Sequence, residues 1–246
     1  MSEVTAEVIV ENHQGWAEVI LNRPATRNAI NGPLGLALAA AFRRVDADND
    51  IHVVVFRGAE GAFCSGLDLK SFNAEPPPAW LADFSTIWRG AHRAIFECRK
   101  PIIGALERYA INGGAALALA ADLLIAGENA FLQVGEVQQG MAAPYNMAWL
   151  RLRHSEALAA QIALIGRRYT GTELKTLGIA YASAPDTGVV AAAQELATAL
   201  AGYPPGALVR IKAGLRVYGP DSADAWFDLA TGVDPVGRQA PRHIDK

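Results

Sequence analysis

Cysteine is scarce in this chain. Two occur in 246 residues, Cys64 and Cys98, too few for a disulfide framework and without the spacing of a metal site. The expectation is a reducing compartment, the cytoplasm. Long apolar runs are also missing. No stretch of roughly eighteen apolar residues is free of charge, so no transmembrane helix is expected. The opening Met1-Ser2-Glu3-Val4-Thr5-Ala6-Glu7 lacks the basic start and apolar run of a secretory signal. Charge is thin as well: 19% of residues, a net charge of −3 and an isoelectric point near 6.0. That excludes the basic surface that nucleic acid or an anionic membrane demands. It also implies that partner subunits cover part of the surface. The five histidines, His13, His52, His92, His154 and His243, are scattered, and none has zinc spacing. No internal repeat and no domain-splitting linker is visible, so residues 1–246 read as one domain.

What is present is enough apolar sequence for a large core, 51% of residues. Residues 6–22 read as a hairpin around Asn12-His13-Gln14-Gly15. A helix starts at Pro33, with Leu34, Leu38, Ala41, Phe42 and Val45 on one face. Buried strands are predicted at 52–56, 101–106 and 123–126, with helices within 79–99 and over 113–121 between them. Strands alternating with helices indicate an α/β fold with a largely parallel sheet. From residue 144 helices dominate, over 144–151, 154–165, 172–178, 188–201 and 205–217. The tail 219–246 shows only weak periodicity around Trp226-Phe227.

Chemistry concentrates in three segments. Cys64-Ser65-Gly66-Leu67-Asp68 follows a strand as a loop, where parallel sheets place their sites. Asn112-Gly113-Gly114 opens a helix, whose first N–H groups lack internal partners and carry partial positive charge. The two glycines admit either a ligand or a close helix–sheet contact. Two N–H donors, from Leu67 and Gly113, aimed at one point would stabilise a carbonyl oxygen as it turns anionic. Glu136 lies among Val134, Gly135 and Val137. Buried there, its pKa would rise into the range of a useful base; at an exposed turn it would do nothing of the kind. Asp68 reads as a cap of the following turn, and Cys64 as a small packed residue rather than a nucleophile.

Taken in order, these segments resemble the enoyl-CoA hydratase/isomerase, or crotonase, family. Leu21-Asn22-Arg23-Pro24 with Arg27-Asn28-Ala29-Ile30-Asn31 is similar to its N-terminal signature. Phe63 to Leu69 and Tyr109 to Ala118, with Asp122, are similar to its two oxyanion loops. Gly166-Arg167-Arg168-Tyr169-Thr170-Gly171 and Leu177-Gly178-Ile179-Ala180 are similar to its helical region, and the likeness covers roughly residues 4–215. The resemblance implies a β-β-α spiral core over about residues 1–185 and a helical C-terminal trimerisation part over about 186–246. It implies a homotrimer or a dimer of trimers and an acyl-CoA thioester substrate. It implies an oxyanion hole from Leu67 and Gly113 with Glu136 as acid–base residue. Arg27, Ala29, Ser65 and Lys70 would contact coenzyme A. No metal and no redox cofactor is implied.

One departure matters most. Family hydratases hold the attacking water between two glutamates. The second matches Glu136, but the first position carries Ala116. A single glutamate suffices to move a proton from C2 to C4 of a 3-enoyl thioester. Double-bond isomerisation is therefore the first reading. Hydration or hydratase-lyase activity, with Tyr145 or Asn146 helping to hold water, is the second, and CoA-ester binding without turnover the third. Phe72 stands near where the lyases want a phenol-binding tyrosine, which weakens that option.

Overall fold

A computed structural model describes residues 6–204, 206–216, 219 and 222–232. Val8–Asn12 (β1) and Trp16–Leu21 (β2) form the expected antiparallel hairpin, with Val8 opposite Leu21. Val53–Gly58 (β3), Ile102–Leu106 (β4), Leu123–Gly127 (β6) and Ala182–Ala184 (β9) extend it in parallel, in the order β1-β2-β3-β4-β6-β9. A second, small sheet holds Tyr109–Ile111 (β5), Phe131–Gln133 (β7) and Arg168–Thr170 (β8). These strands and β9 have three residues each. That is too short for an alternation to show in sequence, and none was expected.

The central strands are apolar on both faces because both faces are covered. On one side lies Gly32–Ala47 (α1), whose N-cap Asn31 accepts from Leu34 N–H at 2.8 Å, with Pro33 in the first turn. Its buried stripe includes the predicted Leu34, Leu38, Ala41, Phe42 and Val45. Phe84–Glu97 (α3) packs on α1. On the other side Val189–Ala201 (α8) sets Val189, Ala193 and Ala197 against Val53, Val55, Ile103 and Ile125. Although α8 follows residue 185, it covers the main sheet directly.

The remaining helices are Leu69–Phe72 (α2), Gly113–Leu119 (α4), Pro144–Arg153 (α5), Glu156–Ile165 (α6), Gly171–Thr176 (α7), Ala207–Leu215 (α9) and Ala223–Gly232 (α10). The stretch 113–121, expected to be helical, leaves the helix after Leu119 because Asp122 is drawn to β4. Its N–H donates to Ile102 O at 2.8 Å, and its carboxylate accepts from Ile102 N–H at 2.8 Å. The same carboxylate takes Lys212 at 2.6 Å and Arg153 at 2.9 Å. These cations hold it down to a pKa of about 2 against the effect of burial. In the tail, the weak periodicity becomes α10, with Phe227 buried and Trp226 donating to Ala148 O at 3.2 Å. Expectations for residues 1–5 and 233–246, His243 included, lie outside the described residues. Among those described, no helix is long and apolar enough to cross a membrane.

Candidate active site

The loop of Leu67 and the helix start of Gly113 meet because their approaches are paired. Cys64 N–H donates to Tyr109 O, and Ile111 N–H donates to Cys64 O, each at 3.1 Å. Cys64 and Ala110 therefore form a parallel bridge, and each stands three residues before a predicted donor. A second bridge joins Ile30 and Leu67. Within it Asp68 N–H and Gly66 O bond to Ile30, at 2.9 and 2.8 Å. Extended backbone alternates, so Leu67 N–H turns away from Ile30. Among the described residues neither Leu67 N–H nor Gly113 N–H finds an acceptor.

Glycine is required at two points. Gly66 has φ +93°, and a Cβ there would also lie 3.0 Å from Ile111 O. Gly114 packs so tightly on the other loop that a Cβ would lie 2.6 Å from Cys64 O. The two readings of the glycine pair thus divide between its members. Gly114 serves the close contact, while Gly113 lines an open cavity of about 320 Å³.

That cavity is also lined by Ser65, Leu67, Ala116, Glu136, Tyr145 and Asn146, with Phe84 and Trp88 on its wall. Glu136 opens a 3-10 turn, Glu136–Gln139, directly after β7. It is 9% exposed, so the buried reading holds. Burial pushes its carboxyl up to about 7, against hydrogen bonds from its own N–H and from Asn146. Asn146 Nδ2 donates to Glu136 Oε1 at 2.9 Å, while Glu136 Oε2 is buried without a partner. Tyr145 is pushed up to about 12 by burial and is no base at neutral pH. Ala116 is fully buried on the cavity wall, where its methyl can hold no water.

The proposed CoA contacts are only partly gathered. Ser65 lines the cavity, and its N–H donates to Arg27 O at 3.2 Å. Arg27 is exposed with φ +57°, Ala29 is buried, and Lys70 is exposed on α2; none of the three is on the cavity wall. Asp68 caps α2, accepting from Ser71 N–H at 3.1 Å, and pairs with Arg23 at 2.9 Å. Cys64 is fully buried and its thiol is pushed up to about 12. His92 is a core group, accepting from Trp149 Nε1 at 2.9 Å and stacked on Tyr145. Asn112 was not anticipated as a brace. It sits at φ +52°, and its Oδ1 accepts from Gly135 N–H at 2.8 Å, tying the start of α4 to the residue before Glu136. Its place immediately before the glycine pair was the only available signal.

A larger cavity of about 430 Å³ lies at the C-terminal end of α4. Its one carboxylate among the described residues, Asp122, is paired with Arg153 and Lys212. Among the described residues it holds no unpaired carboxylate, whereas the smaller cavity holds Glu136. Among the described residues no cluster of three or more His, Cys, Asp or Glu side chains is placed to hold a metal ion.

The family model for enoyl-CoA hydratase/isomerase matches residues 11–220. The enoyl-CoA hydratase EchA19 of Mycobacterium tuberculosis is 33% identical over 217 residues, spanning 85% of this chain and 80% of that protein. Carnitinyl-CoA dehydratase of Proteus mirabilis is 34% identical over 215 residues, 86% of this chain and 81% of that one. The crystal structure of an enoyl-CoA hydratase/isomerase from Mycobacterium paratuberculosis, 28% identical, superposes with a TM-score of 0.82 over 94% of this chain and 93% of that chain. The crotonase fold implied by the motifs is therefore the fold observed. Sequence, architecture and neighbours agree that the chain belongs to the enoyl-CoA hydratase/isomerase family.

Proposed function

We propose that this protein shifts the double bond of an enoyl-CoA thioester through an enolate, with Glu136 as its single acid–base group. Leu67 and Gly113 N–H groups hold the thioester oxygen. Glu136 takes a proton from C2 of the 3-enoyl ester, the electron pair spreads to the oxygen as the dienolate forms, and the proton returns at C4. The double bond then lies between C2 and C3. One observation carries this reading: among the described residues Glu136 is the only carboxylate on the cavity wall, with Ala116 where the resemblance places the other glutamate of the family's hydratases. Water addition is the second reading, favoured by relatives named hydratase and dehydratase. A panel of 2-enoyl, 3-enoyl and aryl CoA thioesters, followed by absorbance of the conjugated thioester, separates the two. Absorbance should rise with 3-enoyl esters. A fall with 2-enoyl esters alone would establish hydration, and no change with any ester would leave only binding.

The thioester is anchored far from the chemistry in this proposal, with coenzyme A lying along Arg27, Ala29, Ser65 and Lys70. Lys70 follows Leu67 by three residues and, among the described residues, makes no ion pair. A phosphate contact is equal in ground and transition states, so Lys70→Ala should raise KM and leave kcat nearly unchanged. Added salt should weaken binding in the parent and less so in the variant. A fall in kcat at constant KM would contradict the role. A homotrimer or dimer of trimers, which the family resemblance implies, belongs to the same proposal.

A further inference from the structure

Base and hole stand on different elements. Glu136 is on the turn after β7, and Gly113 opens α4. Asn112 Oδ1 reaches the backbone before Glu136, and a second side chain reaches the Glu136 carboxyl itself. Asn146, in the first turn of α5, is 1% exposed. Its Nδ2 donates to Glu136 Oε1 at 2.9 Å and to Asn112 O at 3.1 Å. Asn112 is the residue whose following N–H is the Gly113 donor. Both contacts are acceptors, which fixes the amide with its nitrogen toward them. The amide oxygen is left buried and unpartnered. A residue present only for packing would be apolar here, because a buried unpaired acceptor is unfavourable. The retained amide points to its nitrogen as the working part.

We propose that Asn146 is the positioning residue that holds the Glu136 carboxyl in register with the Gly113 donor. This rests on the enolate reading above. Among the described residues no charge competes for control of Glu136. Among the described residues the only other titratable side chain on the cavity wall is Tyr145. Behind it His92 is kept neutral by burial, with a pKa of about 3, and Arg89 and Asp228 act on Tyr145 rather than on Glu136. On α6 the one charged residue, Glu156, pairs with Arg151 at the surface. The Asn146 hydrogen bond favours the carboxylate, so its loss should raise the Glu136 midpoint.

The test is the titration of Glu136 by carbon-13 NMR of side-chain-labelled protein without substrate, its signal identified by its absence in Glu136→Gln. Asn146→Leu should move the midpoint to higher pH than in the parent. Asn146→Asp, which keeps the volume, should move it further, because two adjacent carboxyls share a proton. In turnover, kcat should fall about tenfold to a hundredfold from misplacement of the base, with KM little changed. An unmoved midpoint in either folded variant, or an unchanged kcat, overturns the proposal. If Asn146→Leu does not fold, Asn146→Asp alone decides. If the parent turns over no thioester, the enolate reading fails, while the NMR titration still decides whether Asn146 controls Glu136.

Discussion

Glu136→Gln should abolish turnover of every thioester the parent accepts while leaving CoA-ester binding nearly intact. The substitution keeps the volume and an oxygen that can still accept from Asn146 Nδ2, so the 2.9 Å contact has no reason to break. What disappears is a group able to take and return a proton. General acid–base catalysis is worth about 10²–10⁴-fold, and the loss should be of that order or more, because no other carboxylate among the described residues lines the cavity. The parent should also need the carboxylate form, so kcat/KM should climb with pH through about 7, the midpoint set by burial of Glu136. Steady-state kinetics with calorimetric binding of a saturated acyl-CoA checks both. Full activity in the folded variant would place the base elsewhere. Tyr145, with its phenol pushed up to about 12, and the exposed Glu128 are poor substitutes.

Gly113→Pro should cost about 10²–10³ in kcat, the loss typical of one oxyanion donor. Proline is tolerated at the first position of a helix, and Gly113 occupies that position in α4. The nearest atoms to a Cβ there are tips of side chains, Ile30 Cδ1 at 3.0 Å and Trp88 Cζ2 at 3.6 Å. Asn112, at φ +52° and ψ −113°, is a poor conformation before proline, so circular dichroism and thermal melting must accompany the kinetics. Gly113→Ala is the matching control. It adds the Cβ but keeps the N–H, and should retain much more of the activity. Equal losses in both would mean that space at Gly113 matters rather than its N–H.

The sequence made the longer elements and the site's three centres readable for identifiable reasons. The stripe of Leu34, Leu38, Phe42 and Val45 repeats at helical spacing, and β3 and β4 are apolar on both faces. Leu67, Gly113 and Glu136 stand in segments whose types announce exposed donors and a base in apolar surroundings. The missing information is long-range. Nothing local shows that Cys64 bridges Ala110, which brings Leu67 and Gly113 to one cavity. Nothing local shows that Asn112 Oδ1 reaches Gly135 or that Asn146 reaches Glu136, across 23 and 10 residues. The strands β5, β7 and β8 have no periodicity of their own and exist because their backbones pair. Ala116 was legible as an absence, and its burial on the cavity wall gives that absence a place.

The central claim is that this site forms an enolate, whichever product follows. Exchange of the C2 hydrogens of a saturated acyl-CoA with deuterium oxide, followed by proton NMR, measures that step alone, since the ester has no double bond to move or hydrate. The parent protein should incorporate deuterium at C2, and both Glu136→Gln and Gly113→Pro should lose the exchange while still binding the ester. Exchange at the parent's rate in Glu136→Gln would contradict the account.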